Sequence, residues 1–252
     1  MSRFYVTLPS NSSAQCYPDN TVARYTTKLA HSFELEGDWE VGLAEVSFPC
    51  AVENVLLERC YYTLYLGGGV LERKIVLPAG NYRRVRSLIN TMHKEQRRVV
   101  ELPALVAEFS YREARISMRI GHDVVVQFSR DLAYMLGLDE SEKYSGNDTA
   151  TRAPSMSNGH IYSVYIYCDI LEHSVVGDTR APLLRIIDKP AKSHGNVHRI
   201  LNPILHIPLQ KKSFDTVEIN IMTDTGMPVP FLAGKSFVVL EFRRVIHPLF
   251  SI

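Results

Sequence analysis

The chain has 252 residues, 46% of them hydrophobic and 22% charged, a composition typical of globular proteins that excludes disorder over most of its length. Its 28 basic and 27 acidic residues leave a formal net charge of +1, which argues against a strongly basic coat for nucleic acid. Thirteen Tyr and ten Phe favour strands over helices. No apolar signal segment begins the chain and no run of about eighteen apolar residues occurs, so we expect neither a secretory leader nor a membrane span.

The first two predicted strands, residues 4–8 and 39–48, are suggested by alternating apolar and polar side chains. Within the second, the apolar positions change phase between Leu43 and Val46, which indicates a β-bulge, and Pro49 ends the strand. The side chains predicted to face the core are Trp39, Val41, Leu43, Val46 and Phe48.

Two hairpins and a series of short strands follow. The three glycines at 67–69 can supply the positive φ of a tight turn between strands 61–66 and 70–77. Residues 111–113 are predicted to turn a second hairpin. Its strands and the remaining predicted strands are residues 106–109, 114–120, 124–128, 161–171, 183–187, 204–207, 216–221 and 237–242.

Two helices are predicted between the strands. Residues 83–97 carry one apolar stripe at the spacing of a helix, with Asn81 as the candidate N-cap. The stripe consists of Val85, Leu88, Ile89 and Met92. Residues 130–136 form a shorter helix that begins after Ser129 and ends at Gly137, a residue type favoured where a helix terminates in the left-handed conformation.

Two polar stretches, residues 139–159 and 188–199, lack aliphatic periodicity and are predicted to be long loops. No clean linker divides the chain. The pattern therefore predicts a mainly β protein, an antiparallel sandwich with ten to thirteen strands, in one domain over residues 1–252 with helical insertions at about 83–97 and 130–136. Two smaller β domains remain the alternative.

The sequence contains no recognisable catalytic or metal-binding motif. A cysteine hydrolase would need a thiol beside a histidine, and Cys168 with His173 or His160 is the candidate pair, but Cys168 lies in an apolar strand where a buried, inert thiol is expected. Asp169, Glu172, His173 and Asp178 have no metal-ligand spacing. We therefore predict no catalytic residue, no metal and no cofactor, and four reduced thiols.

Two surfaces are candidates for contact with partners. The first is the basic helical segment, which could touch packaged nucleic acid or an acidic surface, or could be a solvated helix face. Its candidate residues are Arg83, Arg84, Arg86, Arg97 and Arg98. The second is the loop at 223–231, stiffened by Pro228 and Pro230, which could present Phe231 and Leu232 to a neighbouring chain or fold them back onto the core.

Three stretches of the sequence resemble the minor capsid (penton-like) proteins encoded by Polinton/Maverick elements, the virus-like transposons of animals, and by their adintovirus relatives. The first comprises residues 4–11 (FYVTLPSN), 17–21 (YPDNT) and 35–45 (LEGDWEVGLAE). The second comprises residues 164–170 (VYIYCDI), 176–178 (VGD) and 182–185 (PLLR). The third comprises residues 214–219 (FDTVEI), 224–226 (DTG) and 228–231 (PVPF).

This resemblance implies a jelly roll that forms pentamers at the five-fold vertices of an icosahedral shell and contacts a major capsid protein. It implies a virion location, with synthesis in the cytoplasm and assembly in the nucleus or cytoplasm of the host cell, and no catalytic residues. Two other functions remain open from the residues. One is a sandwich that binds a glycan or a cell-surface receptor, with Tyr144 as a candidate aromatic contact. The other is the cysteine hydrolase.

Overall fold

The computed structural model describes residues 2–56, 58–101, 105–140, 142–156, 161–189 and 195–246, and these residues are mainly in β-strands. In chain order the elements are β1 (Arg3–Pro9), β2 (Arg24–Glu34), β3 (Trp39–Pro49), β4 (Tyr61–Leu66), β5 (Leu71–Val76), α1 (Val85–Val100), β6 (Ala107–Arg112), β7 (Arg115–Ile120), β8 (Val124–Phe128), α2 (Arg130–Leu136), β9 (Lys143–Tyr144), β10 (Asn147–Thr149), β11 (Ser163–Cys168), β12 (Ser174–Val176), β13 (Thr179–Ala181), β14 (Leu183–Asp188), β15 (Asn196–Ile200), β16 (His206–Pro208), β17 (Ser213–Met222) and β18 (Phe237–Arg244).

The chain divides into two compact units. Residues Met1–Val52 and Ile161–Ile252 form one, the jelly-roll unit, and Glu53–His160 form the other, the inserted unit, which leaves the jelly roll between β3 and β11. Both helices lie in the inserted unit, and neither is long and apolar enough to cross a membrane. That residues 1–252 form a single domain stays a prediction.

The jelly-roll unit has two sheets of antiparallel strands. One has the order β1-β18-β3-β15, with the short β16 also paired to β3, and the other has the order β14-β11-β17-β2. Successive strands cross between the sheets, so that β1 and β3 belong to the first while β2, between them in sequence, belongs to the second. Two sheets of five and four strands connected in this way form a jelly roll, and the predicted fold class is confirmed.

The core of the jelly-roll unit is built from the inward-facing residues of both sheets. At one end it contains an aromatic stack in which the ring of Phe4 lies 4.7 Å from that of Phe242 and 5.1 Å from that of Phe33, measured between ring centroids. All five side chains of β3 predicted to face inward are buried. The predicted bulge is also present, because Val239 pairs with Glu45 and Leu240 pairs with Leu43, which leaves an extra residue between them.

The inserted unit has a core of its own, formed by the sheets β5-β4-β8-β9 and β10-β7-β6 and by α1, which packs against β5 and β6. The buried amide of Gln96 holds α1 to β6. Its Oε1 accepts hydrogen bonds from the backbone N–H groups of Val106 and Ala107 at 2.9 and 3.2 Å, and its Nε2 donates to the carbonyl of Ala107 at 2.9 Å. A buried glutamine with all these partners fixes the position of the helix on the sheet.

Helix α1 begins at Val85, two residues later than predicted, and Asn81 is not its N-cap; Arg84 occupies that position without a side-chain hydrogen bond to the helix. The reason is Asn54, whose Nδ2 donates to the carbonyl of Tyr82 at 3.0 Å while its Oδ1 accepts from the N–H of Tyr82 at 2.8 Å. This pair of bonds uses the backbone groups of Tyr82 outside the helix, so the helix starts after it. By contrast, α2 spans the predicted residues 130–136 and ends at Gly137 with φ 76°.

Several strands were missed because their outward residues are polar. Strand β2 alternates Tyr25 and Thr27, which are buried, with exposed Arg24 and Lys28, and it is the edge strand of its sheet. The stretches predicted to be loops contain β9 and β10 in one case and β15 in the other, while residues 157–159 and 190–194 of those stretches lie outside the described residues. The second hairpin turns at residues 113–114 instead of 111–113, two non-glycine residues that both have positive φ.

Candidate functional site

The loop between β17 and β18 is tightly organised by its own backbone. The N–H of Thr223 donates to the carbonyl of Met227 at 2.7 Å, and the N–H of Gly226 donates to the carbonyl of Thr223 at 3.1 Å. Gly226 has φ 76°, a conformation that favours glycine. The loop therefore carries the residues that follow it in a defined position at one end of the jelly roll.

The two apolar residues predicted to meet a partner in this loop behave differently. Phe231 folds back: its ring packs against Phe48, 5.9 Å away between centroids, and its backbone forms a β-bridge with Val52. Leu232 is anchored through its N–H, which donates to the carbonyl of Ala51 at 3.1 Å, but its side chain is 41% exposed. Of the two residues, Phe231 thus folds back onto the core, whereas Leu232 is exposed and its contact with a partner stays a prediction.

A groove of about 630 Å³ lies beside this loop, and we call it the loop-end groove. Residues of two segments line it, 10–23 and 228–235, which include Tyr17, Pro18, Val22, Pro230 and Leu232. Among the described lining residues Lys235 alone is charged.

Some polar groups of the loop-end groove hold its walls together. The amide of Asn20 donates to the carbonyl of Thr26 at 2.9 Å and accepts from the N–H of Thr26 at 2.9 Å. The carbonyl of Val22 accepts a hydrogen bond from the hydroxyl of the neighbouring Ser236 at 2.6 Å. The groove therefore offers a partner mainly apolar surface.

The predicted basic residues all lie in the inserted unit and are all exposed. Arg83 and Arg84 precede α1, whereas Arg86, Arg97 and Arg98 lie on it. Arg98 is engaged in an ion pair with Glu95 of the same helix at 3.0 Å. The five arginines are thus exposed near the two ends of α1, although the first two lie before the helix and not on it as predicted.

The candidate nucleophile of the hydrolase hypothesis is unsuited to that role. Cys168 is fully buried in β11, and burial raises the pKa of its thiol to about 12. A thiol that stays protonated and out of reach of solvent is a poor nucleophile. Of the two histidines considered as its base, His160 lies outside the described residues.

The carboxylate of Asp169 in the acidic cluster already has protein partners. It forms an ion pair with Lys211 at 2.5 Å and accepts a hydrogen bond from the N–H of Glu218 at 2.7 Å. Across the part of the chain that the structure describes, no three His, Cys, Asp or Glu residues are grouped so that they could hold a metal ion.

One polar cluster escaped the sequence interpretation. The carboxylate of Glu241, on the outward face of the first jelly-roll sheet, is only 3% exposed. It accepts a hydrogen bond from the hydroxyl of Tyr5 at 2.7 Å and forms an ion pair with Arg3. Nε2 of His206 lies 3.0 Å from the same carboxylate. Nδ1 of His206 is buried and has no partner among the described residues. We call these four residues the Glu241 cluster. Its only sequence signal is a single carboxylate within the apolar strand β18.

Burial by itself raises the pKa of Glu241, but the hydrogen bonds from Tyr5, Arg3 and His206 outweigh that effect, so the pKa of Glu241 lies below its ordinary value. The carboxylate is therefore ionised at neutral pH. Its partners come from β1 and β16, which do not pair with each other, so the Glu241 cluster ties an edge strand of the sheet to the segment on its other side. We interpret this as a structural role, since the carboxylate is almost fully buried among its partners.

No protein-family model matches the chain, and no curated protein matches its sequence. Solved structures match its fold. The mavirus penton protein has a TM-score of 0.53 and 8% identity, with 96% of this chain and 100% of that chain covered. A structure of the Sputnik virophage has a TM-score of 0.48 and 10% identity, with 97% of this chain and 98% of that chain covered. At such low identity the likeness concerns the fold, and only the first of the two supports an argument here.

Proposed function

We propose that this protein is a structural minor capsid protein of the penton type, which forms pentameric vertices of an icosahedral shell by self-association and by contact with a major capsid protein. The observation that carries the proposal is the jelly roll with its large insertion, whose likeness to the mavirus penton protein extends over 96% of this chain and all of the other. The assignment to the Polinton/Maverick group rests on the resemblance of the three sequence stretches.

A jelly roll suits this work for a physical reason. Two packed sheets form a stiff body whose ends carry loops, and identical stiff bodies can close into a ring when one surface fits a different surface of the next copy. Stable interfaces of this kind bury on the order of 2,000 Å² and need an apolar centre. The loop-end groove and the exposed side chain of Leu232 are the surface we propose for such a contact.

The chemistry of the described residues supports a role without catalysis. The candidate nucleophile Cys168 is buried and protonated, and Asp169 of the candidate metal cluster is already paired. The glycan-binding alternative gains nothing from Tyr144, which is buried and whose hydroxyl accepts a hydrogen bond from the N–H of Asp139 at 3.0 Å. Our proposal includes a virion location, assembly in the host nucleus or cytoplasm, and contact with packaged nucleic acid through the basic residues of the inserted unit.

Light scattering of the purified protein over a range of concentrations tests the proposal. We expect a species of five times the 28.6 kDa chain mass, in equilibrium with the monomer at low concentration. A protein that stays monomeric at every concentration up to the millimolar range and at every salt concentration contradicts the proposed self-association.

The contact surface is tested by placing a charge at Leu232. Because a carboxylate in an apolar interface is strongly unfavourable, we expect Leu232→Glu to shift the midpoint of assembly to at least tenfold higher concentration. Val175→Glu is the matched control, since Val175 is 75% exposed in the hairpin of β12 and β13, away from the loop-end groove. Equal effects of the two substitutions would argue against the loop-end groove as the interface.

A further inference from the structure

One face of α1 is occupied by cations without balancing acids. Arg86, Lys94 and Arg97 are exposed and lie on the side of the helix opposite its buried residues. Among the described residues, no carboxylate lies within ion-pair distance of these three side chains. We call this surface the α1 basic face. It is continued before the helix by the exposed Arg83 and Arg84.

The acidic and histidine side chains of α1 do not neutralise this face. Glu95, the one acidic residue in the helix, is buried on the opposite side and already paired with Arg98. Burial is the main cause that lowers the pKa of His93, and the charge of Arg97 lowers it further. Nε2 of His93 accepts a hydrogen bond from the N–H of Phe109 at 2.9 Å. His93 is therefore a neutral side chain that packs against β6. Glu101, just beyond the last turn, is the nearest flanking acid.

Helix stability does not account for the cations at the start of α1. The N-terminus of a helix carries partial positive charge, so arginines there are unfavourable, whereas Arg97 and Arg98 at the C-terminal end are favourable. The first turn contains no acidic residue, and residues 83, 84 and 86 are all arginine. A bound anion would remove this unfavourable charge along the whole face.

From this arrangement we infer that the α1 basic face binds the phosphate backbone of the nucleic acid inside the shell, without reading its sequence. This inference rests on the proposed function. The helix has 16 residues and is therefore about 24 Å long, enough for its spaced cations to meet several consecutive phosphates. No aromatic side chain lies on that face of α1 among the described residues, which favours contact with phosphates over base stacking.

The test is fluorescence anisotropy with a labelled 20-base-pair DNA duplex and, in a second arm, a labelled single-stranded RNA, since both carry the phosphate backbone. Three phosphate contacts predict that the affinity for the duplex falls about 40-fold between 50 and 200 mM salt, because each contact contributes a slope of about −0.9. The triple variant Arg86→Gln/Lys94→Gln/Arg97→Gln is expected to bind at least tenfold more weakly at 50 mM salt.

The inserted unit offers a control with the same change of charge. Arg112, Arg115 and Arg119 are exposed on β6 and β7, and their replacement by Gln also removes three positive charges. We expect this variant to keep the affinity of the unchanged protein within about threefold. Equal losses in the two variants, or no binding of either nucleic acid, would overturn the inference.

Poly-glutamate is the competing anion. Displacement of the duplex by poly-glutamate at equal charge concentration would overturn the inference in favour of an acidic protein surface. Light scattering of the same samples distinguishes failure of this inference from failure of the proposed function. A protein that forms pentamers but binds no nucleic acid disproves only the inference. A monomer that binds nucleic acid through the α1 basic face disproves only the proposed role in the shell.

Discussion

Replacement of Glu241 by Gln tests the physical account of the jelly roll most directly. The substitution keeps the shape of the side chain but removes the charge, and the new amide nitrogen cannot accept the hydrogen bonds that the carboxylate receives. Glu241 is 3% exposed, and leaving the hydrogen-bond partners of a buried carboxylate unsatisfied costs about 1–3 kcal/mol, and more where a partner is charged. Since the amide retains part of the packing, we expect a loss of roughly 3 kcal/mol, which for a protein of this size lowers Tm by roughly 6–12 °C.

The pH dependence of the melting temperature is a second, independent test with the same variant. Because the pKa of Glu241 in the folded protein lies below its ordinary value, its contribution to stability is present at pH values above the ordinary carboxylate pKa of about 4.3. That contribution is lost as the pH falls through the lowered pKa. The difference in Tm between the unchanged protein and Glu241→Gln should therefore be constant from pH 8 to about 5 and shrink in more acidic buffer.

Differential scanning calorimetry measures both quantities, and Glu40→Gln is the control. Glu40 lies on the same face of the same sheet and pairs with Arg243 at 2.7 Å, but its side chain is 23% exposed and the pair is more accessible to solvent. Such pairs contribute about 0–1 kcal/mol, so we expect a fall in Tm below roughly 4 °C. A Glu241→Gln protein that melts within 1 °C of the unchanged one at pH 7 would refute the reasoning.

Three further outcomes are expected. Gly42→Ala should destabilise the jelly roll by at least about 1–3 kcal/mol, measured by urea unfolding, because an added Cβ would lie 2.5 Å from the carbonyl oxygen of Leu205. Glu113→Asn/Ala114→Gly should raise Tm slightly, by the equivalent of about 0.4–1 kcal/mol, because both positions have positive φ and Asn-Gly suits such a turn. Cys168 should react with iodoacetamide only after unfolding, as followed by mass spectrometry, whereas rapid labelling in the native protein would revive the hydrolase hypothesis.

The sequence predicts best those elements whose local signal agrees with their environment. Strand β3 lies between two neighbouring strands and buries one face, so its alternating apolar residues predicted both the strand and its bulge. The short helix α2 has a turn residue at each end, Ser129 and Gly137, and its bounds follow from them. Polar edge strands such as β2 have no such signal, because its run Thr26, Thr27 and Lys28 is equally typical of a loop.

The parts that sequence could not give depend on residues far apart in the chain. The start of α1 is set by Asn54, and the burial of Glu241 is set by partners in β1 and β16. At the loop-end groove, a stiff loop was predicted from Pro228 and Pro230. The burial of Phe231 and the exposure of Leu232 could not be predicted, because they depend on contacts with Phe48 and Ala51, which are distant in sequence.

The position of the insertion between β3 and β11 determines the order in which the subunit can be completed during synthesis. β1 pairs along its whole length with β18, with Arg3 opposite Arg243, so β1 has no partner on that side until β18 has been synthesised. The inserted unit, whose pairings are all among its own residues, can fold on the ribosome in the meantime. A nascent chain thus lacks a complete first sheet until translation has passed β18.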